Sequence, residues 1–368
     1  MRCDTTSFLL TLALAVIGLI GVYSATYTPT HSCSLLFKKQ LFGVISGIGI
    51  YLICARLPYH RLGYWGYGAY FGVILLLIFT IILGSIGMGA QRWINLGIIK
   101  FQPSELTKLF LPAYLTYYLK SANNHPEYSW RNFLPLLLAL AASTILILKQ
   151  PDLGTAMLVL MTGLALCWLA GLSNKFYLSS LLLVLISGPI LWQSLHGYQK
   201  KRIEVFLGFG DQAKEAYQIT QAKIAIGSGQ LFGKGFRQGT QNKLKFLPES
   251  QTDFIFAVIC EEFGLLGAAL LLGLYLALYW RSFVFLQTIP NFFAKLLAAG
   301  LLGHVVISTL VNLGMVTGLL PTVGIPLPLV SYGVSNLWIT FASLGWVNGI
   351  IMQTTNEAIT PGLKKIGL

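Results

Sequence analysis

An all-α polytopic membrane protein, ten transmembrane helices with one long extracytoplasmic loop between helices 7 and 8, is the fold class this sequence predicts. Three observations predict it. Of 368 residues, 55% are hydrophobic and 10% charged, against about a quarter charged in a soluble domain. Apolar runs long enough to cross about 30 Å of hydrocarbon as helices recur along the chain. The 25 Lys+Arg and 12 Asp+Glu, a formal net charge of +13, fall mainly between those runs.

The first span, residues 8–28, is too long for the apolar region of a signal peptide and is followed by others, so it reads as a retained first helix. Residues 38–57, 67–87, 132–148, 153–171, 176–195, 253–280, 292–319 and 329–352 supply eight more. Residues 105–120 are the tenth and weakest, because Glu105 and Lys108 interrupt a run of Leu, Phe, Tyr and Ala. The ten spans form one membrane domain over residues 1–368, with residues 196–251 as its long loop. With the amino terminus cytoplasmic, ten basic residues fall inside and five in the short outer loops, the asymmetry of the positive-inside rule. Both termini are therefore expected on the cytoplasmic side, and basic flanks of this kind suit anionic membrane lipids.

The long loop carries nine Lys or Arg against four Asp or Glu. It is the sizeable piece outside the bilayer, where chemistry on an external substrate would have to be built. Residues 212–226 (QAKEAYQITQAKIAI) alternate apolar and polar side chains at helical spacing, which predicts an amphipathic helix at the membrane surface. Gly227, Gly229, Gly233, Gly235 and Gly239 follow. Close approach of backbone to a ligand and plain loop flexibility both account for them.

Other classes are excluded or weakened. Basic residues are dispersed between spans instead of forming a stripe, which argues against nucleic acid. Cys3, Cys33, Cys54, Cys167 and Cys260 show no paired spacing and read as small core residues, not as a zinc site or disulfide framework. The five histidines are scattered, and His304, inside an apolar run, suits a helix-packing hydrogen bond.

An ionisable side chain within a span is costly and needs a partner or a function. Asp253 stands where the loop enters the eighth span, after Pro248, Ser250 and Thr252. Ordinary helix capping explains an acid there, with Ser250 or Thr252 as cap residues. The alternative is a carboxylate facing a cavity at the membrane boundary, acting as general base or holding a divalent cation, magnesium or manganese. Glu261 and Glu262 lie eight and nine residues further on, too far around and along a helix to pair with Asp253, and call for a basic partner on another helix. Glu105 and Lys108 share a helix face at a spacing of three, so a local ion pair accounts for both. Arg92 and Trp93 read as interfacial anchors. Residues 149–155 (KQPDLGT) form a tight turn that puts Lys149 and Asp152 on the Asp253 side, where a polar groove could assemble. Residues 321–328 (PTVGIPLP) are irregular backbone of the kind tolerated at membrane depth where protein or a cavity buries it.

Together these stretches resemble the SEDS family, the group of RodA, FtsW and SpoVE, over nearly the whole chain. The ordered set is residues 92–97 (RWINLG), 101–106 (FQPSEL), 149–155, Tyr217-Gln218 with 225–229 (AIGSG), 248–262 and 321–333. Residues 314–316 (GMV) before 324–329 (GIPLPL) look more like RodA, the elongation member, than FtsW. The resemblance implies a peptidoglycan glycosyltransferase that polymerises lipid II on the outer face of the bacterial cytoplasmic membrane, for elongation and cell shape. It implies a class B penicillin-binding protein, a transpeptidase, as partner. It implies that Asp253 matches the family's essential aspartate, which favours the catalytic reading over the cap, and that Glu105 with Lys108 matches its intramembrane acid-base pair. Arg92, Lys149, Asp152, Glu249 and Ser331 are the remaining substrate-binding or supporting candidates. Gln251 stands where the family usually has histidine, Val334 and Asn336 interrupt the usual Ser-Tyr-Gly-Gly-Ser-Ser, and residues 212–216 lack the usual Pro and Gly. Two rival functions remain at this point: a flippase for lipid II, and a non-catalytic scaffold for a transpeptidase.

Overall fold

The computed structural model describes residues 4–27, 33–87, 90–95, 100–121, 130–194, 197–207, 209, 214–244 and 246–366. Cys3, His31, His125, His196, Gln212 and the 92–97 motif beyond Asn95 lie outside the described residues. Every expected span falls on a helix: α1 (Thr5–Thr26), α2 (Leu35–Arg56), α3 (Tyr59–Leu83), α4 (Pro103–Ser121), α5 (Trp130–Lys149), α6 (Leu153–Leu169) and α7 (Asn174–Ser194). Three shorter helices occupy the long loop, α8 (Gly197–Phe206), α9 (Lys214–Ser228) and α10 (Thr240–Lys243), before α11 (Ile255–Thr288), α12 (Phe292–Thr317) and α13 (Val334–Ile366). By length and apolarity, seven helices among the described residues qualify as membrane spans, and α6 and most of α7 are shorter apolar helices.

The weakness of α4 in the sequence has a packing cause. It runs through the middle of the bundle, touching α3, α5, α6, α12 and α13. Leu109, Leu111, Ala113, Leu115 and Leu119 are buried on several sides of it. Protein rather than lipid is its solvent, so its polar side chains need only find protein partners. Conversely α7 is exposed along most of its length, with Ile186 77% and Leu183 67% accessible, as suits a helix whose solvent is hydrocarbon. Two apolar clusters make the core. One joins α1, α2, α11, α12 and α13, the other α3 to α6, and α4 contributes to both.

The third span begins earlier and ends sooner than expected, at Leu83, where the Gly84 amide closes the last turn on Thr80. The chain then makes a small antiparallel sheet, β1 (Ser85–Gly87), β2 (Ala90–Asn95) and β3 (Lys100–Phe101), so the fold is not purely α. Of the described cysteines, Cys54, Cys167 and Cys260 are buried as expected, whereas Cys33 is exposed beside the start of α2. His304 makes the expected packing contact, its Nε2 3.4 Å from the Ser343 hydroxyl.

The long loop departs most from expectation. It does not stay outside the bundle. At Gly264 the φ of 64° breaks α11, and residues 230–235 are stitched into the gap. The amides of Leu265 and Leu266 donate to the carbonyls of Gln230 and Leu231, while the carbonyls of Glu261 and Glu262 accept from the amides of Lys234 and Gly235. The helical bonds lost at the break are thus replaced by bonds to the loop. The glycine cluster serves this docking. Gly233 has φ 80°, and a Cβ there would lie 2.1 Å from the Glu262 carbonyl oxygen. Gly233→Ala is expected to destabilise the protein by roughly 2–4 kcal/mol through left-handed strain and overlap, read as a lowered unfolding midpoint in detergent; an unchanged midpoint would contradict the stitching.

Candidate active site

Asp253 lies one residue before the helical cap of α11. That cap is Phe254, which makes no side-chain bond to the first turn. The Thr252 hydroxyl donates back to Glu249. Neither Ser250 nor Thr252 caps the helix, and among the described residues none donates a hydrogen bond to the Asp253 carboxylate or pairs with it. The carboxylate is held by its backbone instead. Asn312 of α12 donates to the Asp253 carbonyl at 3.0 Å and to the Ile325 carbonyl at 2.7 Å. Buried Ser331 donates to the Thr252 carbonyl and accepts from the Leu327 amide at 2.8 Å. The 321–328 stretch backs the carboxylate directly: a Cβ on Gly324, whose φ is 74°, would stand 3.6 Å from Asp253 Oδ2. Ser331 is therefore a positioning side chain, and the irregular proline segment is buried by protein as its depth requires.

An acid-base cluster drawn from distant segments packs on the same proline segment. Asp152 caps α6 through the Thr155 amide, receives Gln102 Nε2 at 2.6 Å, and faces Arg92 of β2 at 3.5 Å. The turn bearing Asp152 packs on the proline segment, since a Cβ at Gly154 would come within 2.4 Å of the Val323 carbonyl. Burial pushes the Asp253 carboxyl up from 3.8 to about 6, with Glu249 adding repulsion, Arg202 and Arg92 opposing it, and Asp152 adding to it. Arg92, Asp152, Arg202 and Glu249 are thus the charges that act on Asp253.

Lys149 is exposed at the end of α5, because the turn that buries Asp152 aims the preceding helical residue outward. Arg92 is an anchor of a different kind from that expected: it is partly buried against Asp152, with its Nε enclosed and without a hydrogen-bond partner among the described residues. Two groups carry no such signal in the sequence: Arg202 of α8 lies in a run of loop charges with nothing to single it out, and Gln102 stands out only as part of a motif.

Glu105 and Lys108 pair at 2.7 Å within the bundle, both buried. Asn336 donates to the second Glu105 oxygen at 3.1 Å, so this departure from the usual motif supplies a partner to the acid. Glu261 has its cation, but from the loop: Lys234 Nζ is 2.7 Å from Glu261 Oε1, where a partner on another helix was expected. Gln251 offers its carbonyl to the Tyr332 amide at 2.8 Å and places no titratable side chain beside Asp253.

No group of three His, Cys, Asp or Glu side chains that could hold a metal occurs among the described residues. The donor set at Asp253 fits only a hard cation that takes most of its ligands from phosphate oxygens and water, as magnesium commonly does.

A family model described as a cell cycle protein (FtsW, RodA, SpoVE) matches residues 4–356. A protein of Escherichia coli K12 named peptidoglycan glycosyltransferase MrdB is 39% identical over 95% of this chain and 94% of its own. The protein of that name from Helicobacter pylori J99 is 38% identical, covering 94% and 88%. Among solved structures, the Thermus thermophilus rod shape determining protein RodA superposes with a TM-score of 0.71 at 28% identity, over 96% of this chain and 98% of that one. A chain of a peptidoglycan synthase complex, described as coordinating polymerization and crosslinking, reaches 0.82 at 29% identity over 96% and 99%.

Proposed function

The chain belongs to the FtsW, RodA and SpoVE family of cell cycle proteins, and from that premise we propose the reading its site supports best, a peptidoglycan glycosyltransferase that extends glycan strands from lipid II with Asp253 as general base. The observation that carries the role of Asp253 is a carboxylate with no protein donor among the described residues, held through its own backbone by Asn312, raised to about 6 and acted on by the charges of Arg92 and Arg202. A carboxylate so raised is a stronger base than an ordinary one yet is ionised at neutral pH. It takes the proton from the attacking sugar hydroxyl as the new glycosidic C–O bond forms. The bond from the anomeric carbon to the diphosphate breaks, and the leaving diphosphate takes the electron pair. Arg92 and Arg202 supply positive charge for that leaving group. A divalent cation, magnesium or manganese, would be held at Asp253 together with the diphosphate oxygens and would neutralise the same charge.

The site opens on the outer face of the bacterial cytoplasmic membrane, in a bundle of ten crossings with both termini cytoplasmic. Supporting this, Asp4, Arg281 and Asn348 meet at the end of the bundle remote from Asp253, and the basic residues favour that end inside. The relationship to MrdB, at 39% identity, above the 32% of an FtsW from Geobacter sulfurreducens, favours the elongation role. The likeness to a chain of a peptidoglycan synthase complex supports a class B penicillin-binding protein as partner.

Purified protein in detergent, where no two leaflets exist, is expected to convert lipid II into glycan polymer. Translocation of lipid II in vesicles without polymer in detergent would favour a flippase instead. A chelator arm decides the cation: loss of polymer restored by magnesium or manganese supports one at Asp253, and an unchanged rate leaves Asp253 to act alone.

A further inference from the structure

The Glu261 carboxylate does more than neutralise a lysine. It is fully buried inside α11, six residues past Ile255, roughly 9 Å along the helix from its start. One oxygen, Oε1, receives four donors from the loop: Lys234 Nζ at 2.7 Å, the Thr240 amide at 2.8 Å, the Thr240 hydroxyl at 3.0 Å and the Gln241 amide at 3.2 Å. The neighbouring Glu262 accepts from Ser24 of α1, so the same turn is tied to a second helix. These side-chain bonds sit at the place where loop backbone replaces the broken α11 ladder.

Residues 255–263 therefore form a short half-helix, separated from the rest of α11 by Gly264 and carrying Asp253 just before its first turn. A helix of that length has little stability of its own. Core packing of residues such as Ile255, Ala257 and Ile259 holds it in the bundle, and its ends are gripped as well. At one end Asn312 and Ser331 hold the Asp253 and Thr252 carbonyls; at the other, the loop is stapled through Glu261. The chain between the two feet of the staple, residues 241–261, contains Asp253. We infer that Glu261 is a positioning residue: by pinning residues 230–241 into the break of α11, it fixes the half-helix that carries Asp253. This rests on the catalytic reading of Asp253.

The test uses the purified full chain in detergent with lipid II as substrate. Glu261→Ala removes all four bonds, and a misplacement of about 1 Å at the reacting group costs about 100-fold in turnover. The expected result is a fall of that order in kcat with KM within about twofold of wild type, because Arg92 and Arg202 do not ride on the half-helix. Amide exchange over residues 229–241 rises in the same variant. Glu261→Gln keeps an acceptor at Oε1 and is expected to recover most of the rate and the exchange protection, which general loss of folding would not allow. Should Glu261→Ala fail to fold, Lys234→Ala, which removes one donor of the four, is expected to show the same kcat-only loss in smaller measure.

Free exchange at 229–241 with wild-type kcat, or a lost rate with protection unchanged, would overturn the role of Glu261 while Asp253→Asn remained inactive. Full activity in Asp253→Asn would overturn the site reading itself, and with it the role of Glu261.

Discussion

Asp253→Asn in the purified protein is expected to lower polymerisation of lipid II about 100- to 10,000-fold, the contribution of a well-placed general base, with folding and membrane insertion intact. The fold should tolerate the change because, among the described residues, no protein donor relies on that carboxylate. Asparagine keeps the shape and the backbone bonds through which Asn312 and Ser331 hold the segment. The same residue sets the expected pH dependence. The base form is the ionised one, and burial with the Glu249 charge holds the carboxyl at about 6. The rate therefore falls as pH drops through about 6, where an unperturbed aspartate would hold its activity to about 4. Arg202 lowers this value, so Arg202→Gln moves the acid limb upward. Full polymerisation by Asp253→Asn, or by Asp253→Ala, rejects the catalytic assignment and favours a scaffold.

Lys108→Met is expected to be the most destabilising conservative change in the bundle. Lys108 and Glu105 are paired at 2.7 Å with side chains 2% and 5% accessible. Removing one partner leaves a buried charge, at a cost of about 3–5 kcal/mol. Asn336 remains as a donor to Glu105 but brings no charge. The double change Glu105→Gln with Lys108→Met removes both charges together and is expected to be milder than Lys108→Met alone, since desolvation is no longer opposed to an unpaired ion. Unfolding midpoints in detergent for the two single variants and the double give the coupling energy. A Lys108→Met protein as stable as wild type shows the pair to be energetically idle.

Much of the architecture was written in local composition. A helix in hydrocarbon must satisfy its backbone within itself and face apolar solvent, so each span announces itself over about twenty residues. That is why all ten expected segments fall on helices, including α4, whose two charges could be read as a pair from their spacing. The third helix starts earlier than hydropathy indicates because Tyr59 to Gly66 mixes aromatic, basic and glycine residues that hydropathy discounts. The departure at Asn336 also had a meaning that no local pattern held: its partner, Glu105, is far away in sequence.

Hydropathy and the order of short motifs are enough to show a helical membrane protein of the RodA and FtsW kind and to single out Asp253. What surrounds that acid depends on packing between remote segments. The charge of Arg202 acts on it from the long loop; the glycine-rich segment enters the bundle and takes Glu261 as its anchor. The reason is one of range. Hydropathy and helix formation are settled between near neighbours, whereas the charge felt by a carboxylate depends on which remote segments the packing brings within a few ångströms of it.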